Sequence, residues 1–167
     1  MIDLTTNSFK ILSKGIAQSL IDHNATISSA ESCTGGRVSS TFTMIPGASE
    51  WFCGGIVAYT RDAKQEVLGI DSKILSDGLV TRQCAEAMAL GVAHLFHSTY
   101  AVSTTGVCGP SWSEGYAPTT AWISIVNTAH NTIRSYFYQE EDQGRRRNIE
   151  FLTRFVLKRL IEEIEAS

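Results

Sequence analysis

Short apolar runs that end in polar or glycine-bearing turns constrain this chain more than any other feature. The run Ala25-Thr26-Ile27-Ser28-Ser29 leads into Ala30-Glu31-Ser32-Cys33-Thr34-Gly35-Gly36, after which Arg37 to Met44 reads as a helix stopped by Pro46-Gly47. Gly54 to Tyr59 reads as a buried strand followed by a short helix, Asp62 to Leu68, which Gly69 ends. Tyr100 to Thr104 reads as another buried strand, entering the Gly106/Gly109-Pro110 turn. Before these lies an amphipathic helix, Phe9 to Ile21, with Thr5, Thr6 or Asn7 near its N-cap. Between them lies a longer helix, Thr81 to Phe96, capped by Thr81, with Cys84, Met88, Val92 and Leu95 along one face. A hairpin of Ala121–Val126 and Ile133–Tyr138 follows, turning at His130-Asn131, with Ser111 to Pro118 a surface loop before it. A helix from about Arg146 to Glu163 closes the chain, with Ile149, Leu152, Phe155, Val156, Leu160 and Ile164 inward. Alternating strands and helices predict an α/β domain whose mixed, mostly parallel sheet is covered on both faces.

No internal repeat, low-complexity tract or linker divides the chain, so residues 1–167 are expected to form one domain with a sizeable core. A net charge of −3 argues against a nucleic-acid surface, and the basic run Arg145-Arg146-Arg147 needs a local explanation. No apolar run is long enough to span a membrane, and Met1 to Thr6 lacks the regions of a secretory signal. A cytoplasmic protein is therefore expected. Its four cysteines, Cys33, Cys53, Cys84 and Cys108, are irregularly spaced without a CxxC pair and are expected to be reduced.

Four constellations carry candidate chemistry. A turn between strand and helix can present a nucleophile beside free backbone N–H groups. In the first turn Ser32 competes with Cys33 for that role, while Ser32 or Thr34 could simply cap the helix with Glu31 filling a nearby hydrogen bond. Lys64, five residues beyond Tyr59, could act as a general base if desolvated beside a serine, with Tyr59 relaying a proton or orienting it. Standing alone, the same pair reads as a solvated lysine and a strand-end tyrosine. The third constellation, Thr104 to Pro110, is either a pocket wall at a strand end or a structural turn. The fourth, Gly144 to Arg147 at a helix start, suits a phosphate, or else a solvated cluster partnered by Glu140, Glu141 and Asp142. His94 and His97 stand three apart on a helix without carboxylates to complete a metal site, so neither metal nor cofactor is expected.

In this order and spacing the four constellations resemble the CinA C-terminal domain family, whose active members are nicotinamide-mononucleotide deamidases. The pieces are Ala30 to Gly36, Pro46 to Ser49 with Trp51-Phe52, Gly55 to Tyr59 with Ala63-Lys64 and Leu68-Gly69, Thr105 to Pro110, Pro118 with Trp122, and Gly144 with Arg146. The resemblance implies a three-layer α/β/α sandwich, hydrolysis of the nucleotide's carboxamide to nicotinate mononucleotide and ammonia, and assembly as a homo-oligomer, a dimer or higher. It implies a small-molecule nucleotide as partner, while the charge and the lack of a long apolar run argue for no nucleic acid and no membrane. On the family pattern Ser32 matches the nucleophile, Lys64 the base and Tyr59 their partner. Glu31, Cys33, Thr34, Gly35, Gly36, Thr105, Gly106 and Arg146 match the substrate-binding surface.

The chain departs from the pattern in three places. The family's glycine-rich continuation after Gly-Pro is replaced by Ser111-Trp112-Ser113-Glu114-Gly115-Tyr116-Ala117-Pro118, which loses two glycines and a lysine and adds bulk. Cys108 stands where alanine is usual, and Arg145 stands where the family has aspartate. The departures imply a remodelled pocket rim around a retained nucleophile and base, and they leave open a family member with changed amide or nucleotide specificity or a nucleotide-binding domain without turnover.

Overall fold

The computed structural model describes residues 4–167, with side chains from Ser8 onward. The elements run α1 (Leu4–Asp22), β1 (Ile27–Glu31), α2 (Arg37–Thr43), a single 3-10 turn (Ala48–Glu50), β2 (Phe52–Val57), α3 (Arg61–Leu68), α4 (Ser72–Ser76), α5 (Arg82–Phe96), β3 (Tyr100–Val107), β4 (Thr120–Asn127), β5 (Thr132–Gln139) and α6 (Arg145–Glu165). One sheet has the order β2-β1-β3-β4-β5. β1 pairs in parallel with β2 and β3, and β4 pairs antiparallel with β3 and β5. Four strands therefore point one way and β4 opposes them, which is the expected mixed sheet.

Side chains alternate across the sheet as a period of two requires. Tyr100, Val102, Ile123 and Ile125 join Leu20, Phe42, Leu152, Val156 and Leu160 in a core beneath α1, α2 and α6. Ala30, Ala101 and Val126 turn the other way and pack with Leu75, Met88 and Val92 beneath α3, α4 and α5. Burying each large aliphatic or aromatic side chain contributes about 1.5–3 kcal/mol, so both layers are held by their inward stripes. As expected, Thr81 caps α5 by accepting a hydrogen bond from the Cys84 N–H at 3.1 Å. Gly69 ends α3 in the left-handed region, at φ 68°.

Several expectations are corrected. The strand read as Gly54 to Tyr59 and as buried is β2, an edge strand ending at Val57, with Val57 about half exposed. A glycine-bounded apolar run looks the same whether one neighbour covers it or two. α1 begins at Leu4, so Thr5, Thr6 and Asn7 lie within the helix, and their side chains fall outside the described residues. Leu95 is 46% exposed, off the buried stripe of Cys84, Met88 and Val92, while Ile149 and Phe155 are only partly buried. The five-residue α4 is too short to show periodicity. It starts where the Asp71 carboxylate accepts the Lys73 N–H at 2.8 Å.

Candidate active site

β1, β2 and β3 are adjacent and parallel, so the turns beyond their carboxyl ends share one edge of the sheet, where open α/β sheets place ligands. A cavity of about 410 Å³ lies there. Ser32 and Cys33 enter it from β1, Tyr59 and Lys64 from β2 and α3, and Thr105, Gly106 and Cys108 from β3. The loop Ser111–Glu114 and Arg145 of α6 close its rim.

Lys64 is completely buried, against the solvated reading that its helix sequence allows. α3 is capped by Thr60, whose Oγ1 accepts the Ala63 N–H at 3.2 Å, and this start turns Lys64 inward. Its Nζ donates to Ser32 Oγ at 3.0 Å, to the Ala58 carbonyl at 2.7 Å and to the Tyr59 carbonyl at 3.4 Å. Burial pushes the Lys64 pKa down from the ordinary lysine value, partly opposed by Cys84, Cys33 and Glu114. The Ser32 N–H is fixed to the Thr104 carbonyl at 3.0 Å, so the backbone of the turn that carries Ser32 is held to β3.

Cys33 lines the cavity beside Ser32, and Cys108 lines it too. The neighbouring Cys108 thiol, reinforced by burial, pushes the Cys33 pKa up, and thiols held protonated are poor nucleophiles. In an amidase assay Cys33→Ala is expected to keep most of the activity while Ser32→Ala loses it. A greater loss in Cys33→Ala would reverse the order.

Of the two readings of Glu31, the structure places its carboxylate in hydrogen bonds beside the helix start. It is buried and points away from the cavity into the start of α2. Its Oε2 accepts from Thr34 Oγ1 at 2.7 Å and from the N–H groups of Gly36 and Val38, each at 3.0 Å. Its Oε1 accepts from Ser39 N at 2.8 Å and Ser39 Oγ at 2.6 Å. Thr34 also meets Thr104 Oγ1 at 2.7 Å, and neither Thr34, Gly35 nor Gly36 lines the cavity. Gly35 and Gly36 adopt φ 60° and 92°, which only glycine accepts at low cost, so they shape the turn. Gly106 does line the cavity, and a Cβ there would lie 2.4 Å from the Thr120 carbonyl, so glycine is required by the close β3–β4 pairing.

Tyr59 touches Lys64 through its carbonyl, while its hydroxyl accepts from Arg145 Nη2 at 2.8 Å. Arg145 Nη1 donates to the Gly109 carbonyl at 2.6 Å. Arg146 lies outside the cavity, highly exposed and paired with Glu150 at 3.4 Å. It lines an adjoining depression with Arg37 and Arg145. Asn148, one helical turn beyond Arg145, donates to the Cys108 carbonyl at 3.0 Å and fixes the third turn to α6. No sequence signal marks Asn148, the Ala58 carbonyl, or the role of Glu114, whose carboxylate accepts the N–H groups of Leu79 at 2.7 Å and Val80 at 3.1 Å. His94 and His97 stack edge to face at 6.0 Å, far along α5 from this cavity.

The family model of the CinA C-terminal domain matches residues 10–164. The chain belongs to the CinA C-terminal domain family. Among its relatives, a protein named as competence-damage inducible in Bacillus velezensis is 38% identical over 157 residues, covering 93% of this chain and 37% of its own length. A CinA-like protein of Thermotoga maritima is 36% identical over 135 residues, covering 80% of this chain and 33% of its own length. The chain thus spans about a third of the length of these relatives. A CinA superfamily protein from Klebsiella pneumoniae superposes with a TM-score of 0.90 at 22% identity, covering 95% of this chain and 99% of that one, which shows the shared fold. The competence/damage inducible protein CihA from Agrobacterium tumefaciens superposes at 0.88 with 29% identity, covering 93% of this chain and 94% of that one. Among the described residues no helix is long and apolar enough to cross a membrane.

Proposed function

We propose that this CinA-family chain is an amidohydrolase that converts nicotinamide mononucleotide to nicotinate mononucleotide and ammonia, with Ser32 as nucleophile and Lys64 as general base. The observation that carries this reading is the fully buried Lys64 amine 3.0 Å from Ser32 Oγ. Neutral, that amine keeps two N–H groups for the Ala58 and Tyr59 carbonyls and turns its lone pair to the Ser32 hydroxyl. Lys64 takes the Ser32 proton as Oγ bonds to the carboxamide carbon, then returns it to the departing nitrogen as the C–N bond breaks and ammonia leaves. Water, activated by the same lysine, then cleaves the acyl ester to the carboxylate.

The Gly35 N–H is spent on the Ser32 carbonyl and the Gly36 N–H on Glu31. That leaves the N–H groups of Cys33, the residue after the nucleophile, and of Thr34 for the oxyanion, an interaction typically worth about 3 kcal/mol in the transition state for one good donor. Arg145 stands between the cavity and the arginine-lined depression, so it, rather than Arg146, is the first cation that a substrate phosphate meets.

The test is ammonia release from nicotinamide mononucleotide by the native chain and by Ser32→Ala. Release by the first and loss of it by the second is the expected result. A folded native protein that releases none would overturn the activity, and equal release by both would remove Ser32 from it.

A further inference from the structure

The loop Ser111–Pro118 departs from the family pattern and forms a fixed wall of the cavity. Glu114 and Gly115 take consecutive left-handed conformations, φ 52° and 80°, the geometry of a tight two-residue hairpin turn. Ser113 and Tyr116 close it reciprocally, N–H to carbonyl at 3.1 and 2.9 Å. Glutamate is an uncommon residue in that conformation, and its carboxylate is committed to the N–H groups of Leu79 and Val80. Leu79 is held from its other side by Thr105 Oγ1, which donates to its carbonyl at 2.6 Å. The loop is thus tied through Leu79 to β3, next to the nucleophile turn.

Directly before this turn stands Trp112, which lines the cavity yet is 69% exposed. A large indole left in water on a tethered loop satisfies no packing need of the chain itself. Glu114 places a carboxylate on the same wall, and Arg145 at the rim is turned to the Tyr59 hydroxyl and the Gly109 carbonyl. An electron-rich ring face beside a carboxylate favours a flat cationic partner.

We propose that Trp112 is a specificity residue that stacks on the cationic pyridinium ring of the substrate, and that Glu114 is the positioning residue that holds the indole in place. The proposal rests on the deamidase reading for the identity of the ring. It extends that reading by predicting discrimination between the charged ring and its uncharged reduced form.

The experiment measures binding in the Ser32→Ala protein, which does not turn the ligand over, by calorimetry and by quenching of tryptophan fluorescence. The probes are nicotinamide mononucleotide and its reduced, uncharged dihydropyridine form. Trp112→Ala is expected to weaken binding of the oxidised form about tenfold, with Trp112→Phe recovering most of the loss and the reduced form little affected. Fluorescence quenching should disappear in Trp112→Phe, which keeps the stack but removes the reporter. Glu114→Ala should match Trp112→Ala, the double variant should be no worse than either, and Glu114→Gln, which keeps an accepting oxygen, should be milder. Unchanged affinity in Trp112→Ala, or an equal loss for both redox forms, overturns the proposal while leaving deamidation standing. Quenching that depends on Trp112 without ammonia release by the native chain keeps the stacking and overturns the deamidase reading. Absence of both binding and release by the native chain overturns both.

Discussion

Replacing Lys64 by methionine should lower kcat/KM for nicotinamide mononucleotide by about a thousandfold or more, because the general base and the activation of Ser32 disappear together. Methionine nearly matches the lysine stem in length and volume, so the buried slot stays filled. The same change makes a stability prediction of definite sign. Burial lowers the native Lys64 pKa. Between that value and the unfolded one of about 10.4, the unfolded chain binds more protons than the native chain. Native stability relative to Lys64→Met therefore rises with pH through this window, and at neutral pH the native protein carries a penalty that the variant lacks. Urea unfolding of both proteins at pH 7 and pH 9.5 measures this, and an unchanged difference between them would contradict a depressed lysine. Activity should follow the same titration. The native kcat/KM should climb with pH as Lys64 loses its proton, at a pH below the ordinary lysine value, whereas Lys64→Arg, permanently charged, should show neither the activity nor the rise. A Lys64→Met protein within tenfold of native activity would remove Lys64 as the base.

The fold was legible because its signals are local and repeated. Strand, turn and helix follow one another with caps such as Thr81 and stops such as Gly69, and each signal acts within a few residues. The site was legible in its parts but not in its orientation. Nothing in Arg61-Asp62-Ala63-Lys64-Gln65-Glu66 marks the lysine as buried, since only the packing of α3 against the sheet and α5 puts it there. Arg145 and Arg146 are neighbours whose side chains leave the helix about 100° apart, so a rotation of α6 that the sequence does not encode locally decides which one meets the cavity. Glu114 reaches across some thirty-five residues to Leu79 and Val80, a contact between two loops that no periodicity reports.

Glu31 had two readings, a hydrogen bond beside the helix start and a place in the binding surface, and its contacts, which favour the first, carry the second large effect. A carboxylate in a turn beside a candidate nucleophile suggests a ligand, but this one is six residues ahead of α2 and reaches back over the helix start. There it accepts three backbone N–H groups and two hydroxyls. A negative charge at a helix N-terminus is also favoured by the helix dipole. In Glu31→Gln one of the two oxygens becomes an NH₂ group, and whichever way the amide turns it faces backbone donors: Gly36 and Val38 on one side, Ser39 on the other. Each buried donor left without an acceptor costs about 1–3 kcal/mol, so the variant should lose about 3 kcal/mol. For a chain of this size that lowers the thermal midpoint by about 6–12 °C. Glu31→Ala should lose at least as much, since it strands all five donors. The measurement separates the two roles. If Glu31 serves the fold, the midpoint falls, and enzyme assayed well below it retains a KM close to native. If it binds substrate, the midpoint stays and KM rises. Because β1 and α2 present Ser32 between them, the capping role also predicts that Glu31→Gln inactivates at a lower temperature than native protein does, with activity lost together with the α2 end of the nucleophile turn.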